Sequence, residues 1–322
     1  MSGKAGPSEG ASLDGDRAAH GNGIAEGIGT AISWLTIVPM RGAKVFDRIT
    51  GRRALTAAPV AGLVPGLAAV IVAVIVAGGA HLLSDGRGPT TSAATAISTA
   101  ADAGVSPATA PLLAALIGVL IVCASELATR AMHIDGLADV ADALGSYRDP
   151  AGAREVLRSP DVGPMGSAAV TLALVGQAAA MAVLAHGFTT TLFPTEAAAP
   201  SEGGTPGIVT AALALALPFV IARAAATTAC HRSFPPMSPT GFGGLVGATQ
   251  PSWAVVAWWL PLTVAAWFLA GAAGILACLA VVLFTVLFAR KLVTRLGGIN
   301  GDGLGAIVQL STLISAVFLA LG

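Results

Sequence analysis

The chain has 322 residues, of which 55% are hydrophobic and only 11% charged. A water-soluble domain carries about 25% charged residues to wet its surface, so this composition excludes one. Seventeen basic and seventeen acidic residues cancel to a formal net charge of zero, which speaks against a nucleic-acid partner.

In chain order, residues 1–23 are rich in Gly, Ser and Asp and hold no apolar stretch of the kind a signal peptide needs. They are expected to form a disordered tail ahead of an integral membrane domain over 24–322. The run 28–40 is apolar but too short to cross a bilayer, and reads as an interfacial or re-entrant helix. Seven longer runs follow, at 55–80, 108–128, 165–186, 208–229, 253–270, 275–289 and 304–321. The fifth and sixth form one apolar stretch too long for a single crossing, and Gly271 and Gly274 mark its turn. The expectation is an all-α, polytopic transmembrane helical bundle of about seven spans. Small residues such as Gly62 and Gly66 suit close helix approach in lipid. Cys123, Cys230 and Cys278 lie in or beside apolar runs without CxxC spacing and read as inert thiols.

Lys and Arg set the orientation. Arg41–Arg53, 129–164, 230–252 and 290–303 are basic and fall on one side of a seven-span chain. The opposite segments, 81–107, 187–207 and 271–274, contain only Arg87. The positive-inside rule then predicts a cytoplasmic N-terminus and places the polar inner segments at the cytoplasmic face.

The densest polar feature is His133-Ile-Asp-Gly-Leu-Ala-Asp-Val-Ala-Asp-Ala-Leu-Gly145. On a helix, offsets of four and seven put Asp135, Asp139 and Asp142 on one stripe about 60° wide. Like charges at that spacing repel. The intervening residues are apolar or small, so the helix packs and its acid stripe faces a cavity. A hard divalent cation such as Mg²⁺, sharing carboxylates with a phosphate substrate, is the natural partner. A second feature is Arg295-Leu-Gly-Gly-Ile-Asn-Gly-Asp-Gly-Leu-Gly-Ala306. Its glycines expose N–H groups to a phosphate, and Asp302 is either a further metal ligand or a helix cap. Arg158, and Arg223 inside the fourth span, are candidate phosphate clamps. His133 and His231 each lie near a membrane boundary, and the Pro/Gly-rich segment 232–244 is a lid or a connector.

These two blocks, in this order and separated by hydrophobic spans, resemble the cobalamin synthase family, also called adenosylcobinamide-GDP ribazoletransferase. The resemblance runs from about Trp34 onward. His133 to Gly145 matches the family's H-[LI]-D-G-L-A-D-x-x-D-x-L-G block, and Arg295 to Ala306 its R-x-G-G-x-[TN]-G-D-x-x-G-A block. Departures fall at Leu157 to Gly166, where Arg158 stands in place of a lysine and Ser159 of an aspartate, and at Thr36-Ile-Val-Pro39, which lacks an arginine. The resemblance implies a Mg²⁺-dependent phosphotransferase of the inner membrane. Adenosylcobinamide-GDP would give its phosphorylated corrinoid to α-ribazole or α-ribazole 5′-phosphate, releasing GMP. On this chemistry Asp135, Asp139 and Asp142 are expected as Mg²⁺ ligands and catalytic residues, with Asp302 as a fourth ligand or a base and His133 orienting the alcohol or an aspartate. Arg158, Arg223, Arg295 and Asn300 are the expected substrate-binding residues. The rival readings are a membrane phosphotransferase of the CDP-alcohol type, whose motif has an arginine after Asp-Gly that is missing here, and a cation transporter.

Overall fold

The computed structural model describes residues 15–85, 110–193 and 207–322. The expected outer connectors 81–107 and 187–207, with Arg87, fall largely outside the described residues, as does 1–14 of the expected tail. Among the described residues the regular elements are helical, in the order α1 (Gly23–Leu35), α2 (Arg48–Thr56), α3 (Ala58–Ala61), α4 (Leu63–Asp85), α5 (Ala110–Ala128), α6 (Met132–Gly145), α7 (Pro150–Val156), α8 (Pro164–Leu192), α9 (Ile208–Ala229), α10 (Gly241–Val246), α11 (Ser252–Leu296) and α12 (Gly301–Ala320).

Six of these segments are long and apolar enough to cross a membrane: Ala58–Leu83 across α3 and α4, most of α5, and all of α8, α9, α11 and α12. The 45 residues of α11 would reach ~68 Å if straight, about twice a bilayer core. The helix breaks instead at Ala270 and Gly271, where Gly271 takes φ 55°. Its two arms fold back so tightly that a side chain on Gly274 would strike the Ala266 carbonyl. This hairpin gives the seventh crossing, with the turn at the start of the predicted glycine pair. The 13-residue α1 is one of the short elements, as its length requires.

Packing follows the small residues. A Cβ on Gly62 would lie 2.6 Å from the Phe219 carbonyl, and one on Gly66 would lie 2.9 Å from the Ala216 Cβ, so the start of the first span lies directly on α9. The last span, α12, is the most enclosed: 12 of its 20 residues are buried, and it packs on α6, α8, α9 and α11.

The four basic segments meet at one end of the bundle. Arg48 of α2 donates to the carbonyls of Gly244 and Gly247. The Met237 amide donates to the Ile299 carbonyl at 2.9 Å, and the Ile299 amide to the Pro235 carbonyl at 2.8 Å. Arg295 Nη2 donates to the Arg148 carbonyl at 2.8 Å. The Pro/Gly segment is therefore strapped to the Gly-rich block.

Residues 16–22, read from sequence as part of the tail, are folded. His20 sits between Glu26 (Nδ1 to Oε1, 2.8 Å) and Asp47 (Nε2 to Oδ2, 2.8 Å), and Arg53 pairs with Glu26 at 3.0 Å. The hydrogen bond to Asp47, and then that to Glu26, hold the imidazole above its ordinary value of 6.5. Sequence composition hides this, because the partners of His20 are as far as 27 residues away.

Candidate functional site

The junction of α5 and α6 turns on two consecutive left-handed residues, Arg130 (φ 57°) and Ala131 (φ 54°). That conformation costs a residue with a Cβ about 1 kcal/mol or more. It is compensated by packing, since α6 lies against α12. The contact is made by glycine. A Cβ on Gly136 would lie 2.6 Å from the Asp302 carbonyl oxygen, and one on Gly305 would lie 3.2 Å from that of Met132. Backbone meets backbone here, which brings the acidic block of α6 against the acidic start of α12 although they are far apart in sequence.

The junction walls a cavity of about 540 Å³. Asp135, Asp302 and Gly301 line it together with His133, Arg130 and Arg223, and Trp34, Leu55 and Phe242 close its apolar side. Trp34 stands edge-on to Phe242 at 5.4 Å and stacks with Phe46 at 6.0 Å. Arg130 Nη2 donates to the Trp34 carbonyl at 2.7 Å, which ties α1 to the cavity mouth. The cavity lining therefore combines carboxylates, guanidinium groups and aromatic rings. A second cavity, of about 480 Å³ between α9 and the arms of α11, includes His231 and Arg290 but no carboxylate. The acids make the first the candidate site.

Electrostatics mark the same place. Burial first, then the facing Asp135, Asp302 and Asp142, push the Asp139 carboxyl up to about 6. Burial, and then Arg223, hold His133 well below 6.5, so its ring is neutral at physiological pH. Carboxylates that repel one another around an open cavity suit a cation, which would reverse that repulsion. Among the described residues, no three His, Cys, Asp or Glu side chains close on one point as a cage. Mg²⁺ commonly takes only one or two carboxylates and completes its shell with water and substrate phosphate, so the donor set fits a shared cation.

Other expected residues are placed differently. Asp142, predicted as a metal ligand and catalytic acid, accepts from the backbone amides of Gly163 (2.6 Å) and Gly166 (2.8 Å). Helix α8 begins at Pro164, and its N-cap, Gly163, has no side chain to offer. Asp142 supplies that acceptor from another helix, and its two oxygens are engaged. The expected four carboxylates thus narrow to Asp135, Asp139 and Asp302. Arg158 is exposed near the end of α7 and lines neither cavity. Arg295 holds the Arg148 carbonyl, as above, and also stands outside both. Asn300 caps α12, accepting from the Gly303 amide at 2.9 Å and donating to Asp302 Oδ2 at 2.7 Å. It orients Asp302, so the cap and the acid are separate residues. Gly297 (φ 90°) ends α11, and Gly298 is glycine because the Pro235–Met237 backbone lies on it. Of the glycines between 297 and 303, Gly301 lines the cavity, next to Asp302.

Replacing Asp142 with Ala should remove two charge-assisted hydrogen bonds and lower stability by about 2–4 kcal/mol. Thermal unfolding of the detergent-solubilised protein measures it. An unchanged midpoint would return Asp142 to the pool of catalytic candidates.

Sequence reading missed Trp34, Arg130, Phe242 and Glu126. Arg130 had a signal, being a lone arginine between a span and the acid block. The aromatic pair had none, since Trp34 and Phe242 meet only through the fold.

The family model described as cobalamin-5-phosphate synthase matches residues 27–320. A protein of Corynebacterium efficiens named adenosylcobinamide-GDP ribazoletransferase is 37% identical over 320 residues, covering 95% of this chain and 94% of its own. Proteins of the same name from Corynebacterium diphtheriae and Frankia casuarinae are each 32% identical, covering 94% and 91% of this chain and 94% and 93% of theirs. No solved structure matches.

Proposed function

The chain belongs to the cobalamin-5-phosphate synthase family, and we propose that it acts as an adenosylcobinamide-GDP ribazoletransferase of cobalamin biosynthesis, with the cavity between α6 and α12 as its active site. The observation that carries this placement is the contact at Gly136, which brings Asp135 and Asp302 into the lining of one cavity that Arg223 and Arg130 also line.

The reaction is a displacement at phosphorus. A hydroxyl of α-ribazole, or of its 5′-phosphate, forms a bond to the corrinoid-linked phosphorus of the diphosphate. The bond from that phosphorus to the bridging oxygen breaks, GMP leaves with the electron pair, and the hydroxyl proton is released. Such chemistry depends on positioning and charge stabilisation more than on covalent help from the protein. Arg223 and Arg130 hold phosphate oxygens. Neutral His133, buried beside Arg223, is placed to orient the attacking hydroxyl. Trp34 and Phe242 offer flat apolar faces to a ring at the cavity mouth. Asp135 and Asp302, with Asp139 one turn further along α6, would hold Mg²⁺. When bound, that ion offsets charge building on the leaving phosphate. Asn300 keeps the Asp302 carboxylate turned to its place.

The basic end of the bundle, which carries this cavity, is the cytoplasmic face of the inner membrane under the positive-inside rule. Purified membranes supplied with adenosylcobinamide-GDP and α-ribazole should release GMP. EDTA should stop that release and added Mg²⁺ should restore it. Turnover that survives chelation would remove the metal from the scheme and leave the transferase assignment standing.

A further inference from the structure

We infer that Glu126, at the end of α5, is a positioning residue for Arg223, acting through a small buried polar space behind the candidate active site. The inference rests on the reading of that site given above.

Arg223 is 4% exposed and lies inside a membrane span. A guanidinium at such a depth needs a counter-charge and filled hydrogen bonds. Its Nη1 donates to the Phe219 carbonyl of its own helix at 3.3 Å, and its Nε is buried with no protein partner. One carboxylate oxygen of Glu126 is in the same condition. Oε1 accepts from Gln309 Nε2 at 2.9 Å, whereas Oε2 is buried and unpartnered.

Both residues line a cavity of about 10 Å³, with Thr129, His133, Gln177 and Gln309. A volume of about 10–15 Å³ with two to four polar partners is what one buried water requires. One water there accepts from Arg223 Nε, donates to Glu126 Oε2, and satisfies both orphans. The rest of the cluster is braced, because Gln177 Nε2 donates to the Gln309 carbonyl at 2.9 Å and both glutamines are almost wholly buried.

Arg223 and His133 line this space and the active-site cavity alike, so they form the partition between the two. The guanidinium is planar, and holding Nη1 and Nε fixes its plane. Glu126 lines only the rear space. It touches no substrate and acts by setting the angle at which Arg223 meets a phosphate.

A double-mutant cycle on the full chain in membranes tests this, with GMP release read as kcat and KM. Glu126→Gln keeps the shape and the Gln309 contact and removes the charge. It should lower kcat/KM for adenosylcobinamide-GDP by about ten- to a hundredfold while leaving KM for α-ribazole unchanged. Glu126→Asp, which retains the charge, should restore most of the loss. In an Arg223→Gln background, Glu126→Gln should have no further effect. Equal losses in both backgrounds, or a silent Glu126→Gln beside an impaired Arg223→Gln, overturn the inference and spare the site. A silent Arg223→Gln overturns both. Should Glu126→Gln fail to fold, the infrared difference between ¹³C-Glu-labelled wild type and Arg223→Gln decides, because labelling marks six glutamates and the difference isolates the one beside Arg223. A carboxylate band should shift between the two, and a flat difference overturns the pairing.

Discussion

Asp135→Asn should reduce GMP release by about 10³-fold or more, because one neutral amide replaces a charge where charge stabilisation dominates the rate. The fold should not notice. Asp135 is exposed on the cavity wall, and among the described residues no side-chain hydrogen bond engages it. The thermal midpoint should therefore stay within the change about 0.5 kcal/mol produces, as for surface substitutions generally. Pairing the two measurements separates Asp135 from Asp142, whose loss should lower stability first. Near-normal turnover by Asp135→Asn in well-folded protein would end the assignment of this wall to catalysis.

Gly136→Ala should be nearly as damaging for a different reason. Its new methyl would lie 2.6 Å from the Asp302 carbonyl oxygen and 2.8 Å from the Asp302 Cα, and backbone cannot swing aside as a side chain can. The helices must part by a fraction of an ångström to about 1 Å, which costs ~1–3 kcal/mol of packing. A shift of that size between catalytic groups lowers turnover by about a hundredfold. Steady-state kinetics at saturating substrate, with unfolding measured alongside, check the pair of effects. Full activity in Gly136→Ala would mean that α6 and α12 need not touch.

Much of the architecture could be read from the residues, because a bilayer imposes a length on every crossing. The apolar runs, the turn near Gly271 and the close approach at Gly62 and Gly66 all follow from that constraint. The meeting of Asp135 and Asp302 was expected on other grounds, from the resemblance and the two acidic blocks, and the Gly136 contact that produces it was not legible. That Asp142 caps α8 was hidden in the sequence for a plain reason. Its stripe on α6 is real, but α6 packs on α8 as well as on α12, and Asp142 lies on the side where α8 begins with a glycine cap. Helical periodicity gives the angle of a side chain around its axis and says nothing of which neighbour stands there. His20 and Glu126 were passed over for the same reason, since each takes its meaning from partners on other helices.

The enclosed position of α12 bears on how the protein comes into being. Its helix follows every other described one in chain order, yet it occupies the middle of the bundle and brings Asp302 with it. During synthesis the earlier segments must enter the lipid around an unfilled axis and wait for their centrepiece. A chain stopped before residue 301 should insert without Asp302 and release no GMP, which in-membrane assay of the truncated protein checks.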